Sequence, residues 1–233
     1  MRITGKVKFW NAYWWAFMDC GAAPSLRARS AAVLATLFVM NTVASAAGTR
    51  HEVNQKNMVE TWESKDQGVF LSLTQISPDQ ARAFFLARGF DRKSVDEYAS
   101  TCVFQTIFRN DSVPAAVSTA LDNWRISTPK GEQGLKLEAD WERQWEANQV
   151  PESARIAFRW SQFPMKQSFE QGDWNQGMTT YRLPMGSRFD LKFRWKIKGV
   201  LHESILAGVR CATDRDSRQV IGERANLPYP VHK

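Results

Sequence analysis

Residues 188 to 198 read Arg188-Phe189-Asp190-Leu191-Lys192-Phe193-Arg194-Trp195-Lys196-Ile197-Lys198, and this stretch decides the fold class. Five apolar side chains alternate with six charged ones. A period of two places the first set on one face of an extended chain and the second on the other. An antiparallel strand with one face on a core and one in water requires that pattern. Lys198-Gly199 then predicts a hairpin into 200–211, on which Ile205, Ala207, Val209 and Cys211 are expected to share a face.

Working outward, Cys102, Phe104 and Phe108 alternate with Val103, Gln105 and Ile107, a second strand of the same kind. Ile156, Phe158 and Trp160 alternate with Arg155 and Arg159 and read as a third. Residues 69–74 and 121–127 suit two more, and the polar residues 47–66 read as an extended or poorly ordered entry. Helices interrupt the strands. Ser77, Pro78 and Gln80 form a start signal with an N-cap, a first-turn proline and a capping box, and Gly89 marks the stop. Ser94 with Glu97 predicts a second, short helix. Leu137, Trp141 and Trp145 recur at four-residue spacing and predict a third, with the tryptophans in its core stripe. The expected fold is mainly β: a single sandwich-like antiparallel domain with two or three helical insertions, close to the α+β class.

The first 46 residues read as a secretory signal peptide. Arg27 and Arg29 precede a short apolar run over 31–43, and Ala44-Ser45-Ala46 supplies a small-x-small cleavage site. The run is too short for a membrane-spanning helix, so no transmembrane anchor is expected. Met18 is read as the true start, because the aromatic residues between Trp10 and Phe17 are foreign to such leaders. The exported domain is expected over 47–212, followed by a polar tail over 213–233, in a periplasmic or secreted setting.

Export changes the charge argument. The whole chain carries a formal charge of +7, but five of its 31 basic and one of its 24 acidic residues precede residue 47. The remaining excess of three positive charges is too weak a footprint for nucleic acid. Cys102 and Cys211 are the two cysteines left, and an even count in an oxidising compartment predicts a disulfide. Asn110-Asp111-Ser112 is a glycosylation sequon, relevant in a eukaryotic source.

The sequence lacks the G-x-S-x-G, G-x-G-x-x-G, Walker A, H-E-x-x-H and C-x-x-C patterns. Its three histidines are His51, His202 and His232, so a catalytic triad would fall to His202. No catalytic residue is assigned, and a hydrolase ranks third among the functional readings. The first is an exported non-catalytic binding or accessory protein acting on an unknown protein or ligand. Its expected binding segment is the 161–178 loop, with Phe169, Asp173, Trp174, Asn175 and Gln176 as contacts. The second is a periplasmic copper-binding accessory protein or chaperone using Met165, Met178, Met185 and His202, since thioethers suit Cu(I) where thiols oxidise. The first reading needs no cofactor.

Overall fold

The computed structural model describes residues 48–214. The leader, the Met18 start, Cys20 and the tail from 215 lie outside the described residues. Two antiparallel sheets face each other. The first runs in the order β1 (Gly48–Val53), β2 (Glu60–Asp66), β3 (Val69–Gln75), β4 (Thr101–Asn110), β10 (Trp174–Pro184) and β8 (Leu135–Lys136). The second runs β7 (Gly131–Gln133), β6 (Arg125–Thr128), β11 (Arg188–Ile197), β5 (Val117–Ala120) and β9 (Lys166–Phe169), with β12 (Val200–Arg210) against β11. The fold is thus mostly β and sandwich-like, as the alternation in β11 predicts.

Trp62, Leu71, Leu73, Phe104 and Phe108 from the first sheet meet Ile126, Leu191, Phe193, Trp195 and Leu206 from the second in one core. Cys102 and Cys211 form the expected disulfide between the sheets, with Cα atoms 5.1 Å apart. Among the described residues four helices, not two or three, accompany the sheets: α1 (Pro78–Leu86), α2 (Arg92–Ala99), α3 (Glu138–Ala147) and α4 (Glu152–Ser161). They pack a second core over one end of the first sheet's outer face, where Phe85, Tyr98, Trp141, Trp145 and Phe158 surround Val103. Trp141 and Trp145 are fully buried and stacked on each other, so both are core side chains.

Several local expectations are corrected. Residues 48–66 are not a loose entry but the paired strands β1 and β2, an edge hairpin whose polar composition reflects exposure. The second helix starts three residues earlier than Ser94 suggests, because Asp91 is the N-cap and accepts from the Ser94 N–H at 3.0 Å. Residues 121–123 form a 3-10 turn before the short β6 rather than a continuous strand. On β12, Leu206, Val209 and Cys211 are buried while Ile205 and Ala207 face solvent. A bulge opposite Asp190 causes this: Leu206 pairs Leu191 and Val209 pairs Phe189, two residues facing one. Gly208 takes φ +68 there, and its N–H donates to Asp190 Oδ1 at 2.7 Å.

Residues 155–160 are the largest correction: they form α4, not a strand. Ala154 and Phe158, four residues apart, fill the helical core, while Arg155 and Arg159 reach Glu152 on their own helix and Glu142 on α3. Over six residues, alternation and helical spacing both bury Phe158. They differ in what they do with Ile156 and Trp160, which the helix turns outward.

Lys136 gives the second core a pH signature. Its ammonium lies 3.1 Å from the Trp141 ring centroid and donates to Gln144 Oε1 at 2.7 Å. Burial, then the charge of Arg182, pushes its pKa from 10.5 down to about 8. Between those values the unfolded chain holds more protons than the folded one, so stability rises with pH in that window. Solvent around the half-exposed side chain holds the gain to about 1 kcal/mol. Urea midpoints should therefore increase from pH 7.5 to 9.5 in the wild type and less in Lys136→Met. Above pH 10 the trend reverses, because burial raises the folded pKa of Tyr98 and Tyr181 and the unfolded phenols ionise first.

Candidate ligand-binding face

The segment 161–178, expected as a loop, is built as structure. Gln162 ends α4, Phe163 plugs the core, β9 pairs with β5, and a turn over 170–173 leads directly into β10. Phe169 is fully buried on the main core, packed 5.0 Å from the Phe108 ring, and is therefore no ligand contact. Asp173 is exposed but committed to the turn, its Oδ2 accepting from the Glu170 N–H at 2.9 Å. Trp174, Asn175 and Gln176 open β10, and of these Trp174 is 57% exposed.

What holds Trp174 in place is Asn110, at the end of β4. Its side chain is completely buried; Nδ2 donates to the carbonyls of Val113, Ala115 and Phe169, and Oδ1 accepts from the Val113 N–H. Its backbone N–H reaches the Asp173 carbonyl at 3.0 Å, and its carbonyl accepts from Gly172 at 2.8 Å. The sequon asparagine is thus an internal clasp, and a glycan on it is incompatible with the folded chain.

The second exposed indole is one that sequence reasoning assigned to a core strand. Trp160, in the last turn of α4, is 86% exposed, the most of any large apolar side chain among the described residues. It borders a groove of about 500 Å³ lined by Arg159, Gln162, Pro164, Asn175 and Gln176. The groove exists because the chain leaving α4 lies directly against β10. Gln162 bridges to Met178, and the Phe163 N–H donates to the Met178 carbonyl at 2.9 Å. Gly177 permits this approach, since a Cβ there would sit 2.4 Å from the Phe163 nitrogen. Gly177→Ala should therefore cost about 3 kcal/mol by forcing backbone from backbone. Chemical denaturation checks this; a loss under 1 kcal/mol would mean the contact is not needed.

Beyond the groove, the uncovered half of the sheet continues the face. Trp174, Arg109 and Phe70 lie in register across β10, β4 and β3, with the Arg109 guanidinium 4.6 Å from the Phe70 ring centroid. Gln176, Ile107 and Ser72 form the next row. The two arginines here are already paired. Arg159 donates to Glu142 at 3.0 Å and to Glu152 at 2.8 Å, and the Glu152 hydrogen bond holds its pKa above the ordinary arginine range. Arg109 is paired with Asp111.

No family model matches this chain, and no curated protein or solved structure is significantly similar to it. The site has to be judged on its geometry.

The copper candidates occupy separate surroundings. Met165 packs against the core between the sheets, whereas Met178 packs against the helical core, its sulfur accepting from the Tyr98 hydroxyl at 3.7 Å. Met185 stands in the turn after β10, and His202 stacks on Trp195 in the second sheet. Among the described residues no three of His, Cys, Asp and Glu cluster as a metal site would need. No described helix is long and apolar enough to cross a membrane. A second concavity of about 470 Å³ lies on the other sheet beside Lys166, Arg194 and Leu201. Lys166 there is 3.7 Å from Asp122 and Arg194 is 2.6 Å from Glu203, and no tryptophan ring in it is exposed.

Trp160 and Arg159 lie outside the segment that sequence reasoning chose, while Gln162 and Pro164 lie within it but were not among its named contacts. One signal was available: Arg155 and Arg159 stand three and seven residues after Glu152, which is helical ion-pair spacing directly behind Pro151.

Proposed function

We propose that this chain is an exported, non-catalytic binding protein whose ligand docks on the face bounded by Trp160 and Trp174. The observation that carries the reading is Trp160, a large aromatic left 86% exposed at the rim of a groove. Exposing an indole forgoes the 1.5 kcal/mol or more that burying a large side chain is roughly worth, and aromatic anchors of this kind dominate binding interfaces. Export is supported by the leader-like pattern of residues 1–46 and is consistent with the disulfide.

Because both indoles are outside the cores, Trp160→Ala and Trp174→Ala should each change unfolding free energy by no more than about 1 kcal/mol. A loss of fold in either variant would make that tryptophan structural. Binding itself is tested by placing a photo-crosslinking p-benzoylphenylalanine at position 160 in the producing cells, with position 205 as an exposed control. Adducts at 160 and not at 205 are the expected result. Absence of any adduct at 160 would overturn the reading.

A further inference from the structure

We infer that the ligand of this face is a neutral carbohydrate chain, an inference that rests on the binding reading above. Three features of the groove select that chemistry.

The first is what the two indoles offer. A pyranose ring carries C–H groups on its faces and hydroxyls around its rim. The electron-rich face of an exposed tryptophan attracts the C–H side without dehydrating the hydroxyls. Trp160 lines the groove, and Trp174 stands on β10 just before the groove residues Asn175 and Gln176. The strand rise puts Trp174 about 13 Å along β10 from Met178, the residue bridged to Gln162 near Trp160. That separation suits an extended oligomer better than a single ring.

The second is the polar lining. Between the indoles the side chains are amides: Gln162, Asn175 and Gln176, with Gln105 beside them. Amides donate and accept at once, which is what hydroxyls need. They are also pre-oriented. Asn175 Nδ2 donates to Gln167 Oε1 at 2.6 Å, Gln162 Nε2 donates to Ser161 Oγ at 3.0 Å, and Gln105 Nε2 donates to Gln176 Oε1 at 3.1 Å. Gln176 Nε2 and Gln105 Oε1 are left for a ligand.

The third is what the groove does not offer. Its one cation, Arg159, is shared by Glu142 and Glu152, so an anionic ligand finds no free charge. A peptide recognised by strand addition finds only a short backbone edge: β4 takes one side of β10, and on the other the Phe163 N–H takes the Met178 carbonyl while Asn175 Oδ1 takes the Gln176 N–H. A neutral polyhydroxyl chain matches all three conditions.

The test is affinity gel electrophoresis of the folded, disulfide-bonded protein. The probes are mixed-linkage β-glucan, xylan, galactomannan and amylose, with polygalacturonate as the anionic control. Tryptophan-fluorescence titration with the hexasaccharide of the retarding polymer, or with chitohexaose, gives Kd. Retardation by at least one neutral polymer is expected, together with a Kd that rises tenfold or more in Trp160→Ala and in Trp174→Ala. That Kd should change less than twofold between 0.05 and 0.5 M NaCl, because no free charge contributes. The inference is overturned by retardation with polygalacturonate alone, by unaltered affinity in the double variant, or by no binding to any neutral probe. The adduct at position 160 separates this failure from failure of the binding reading. An adduct digested by protease leaves the face a binding site for protein, whereas no adduct removes the site altogether.

Discussion

Replacing Asn110 with alanine should cost on the order of 5 kcal/mol of unfolding free energy, a large share of what a domain of this size possesses. The side chain is fully enclosed and shares its two amide hydrogens among three carbonyls while accepting a fourth hydrogen bond from the Val113 N–H. Alanine leaves these groups buried without partners, each at a cost of about 1–3 kcal/mol, and the cavity admits at most partial compensation by water. The affected backbone belongs to the end of β9 and to the 111–116 connection, and because Phe169 leads straight into the turn that presents Trp174, binding should weaken along with stability. Urea denaturation followed by tryptophan fluorescence measures the first effect. A cost below 1 kcal/mol would show that the connection is held by other means.

Loss of the Cys102–Cys211 disulfide is the second large effect. The bridge closes a loop of 109 residues, and the restriction this places on the unfolded chain is worth about 5 kcal/mol. It also couples the sheets, joining the start of β4 to the end of β12. Cys102→Ala with Cys211→Ala should therefore lower stability by roughly that amount without altering the sandwich. The double variant avoids leaving one free thiol in the core. Equal stability of wild type with and without reductant, with two alkylatable thiols in the native protein, would show that the bridge does not form.

The parts of the fold legible in the sequence are those where a single physical signal acts alone. β11 alternates over ten residues, α1 carries a complete capping box, and the tryptophans of α3 sit at helical spacing on one buried face. Where two signals coincide, the reading fails. Arg155 to Trp160 satisfies strand alternation and helical ion-pair spacing at once; both bury Phe158, and they part only at Ile156 and Trp160, which the helix leaves exposed. The bulge at Ala207 and Gly208 shifts a face by one residue, which no periodicity in β12 announces. The candidate site shows the same division. Trp174 stood out because it lies among glycines and amides. Trp160 did not, because its exposure follows from a helix that the alternation concealed.

The Cys102–Cys211 link also has a mechanical consequence. Tension applied through the two ends of the chain passes across the sulfur bridge and bypasses everything between. Residues 103–210, which include Trp160 and Trp174, carry none of that tension. The extension withheld is on the order of 350 Å at the reach of an extended chain. A protein tethered at one end while gripping a large ligand could thus shed β1 to β3 with α1 and α2 under load and keep Trp160 and Trp174 on a covalently closed segment.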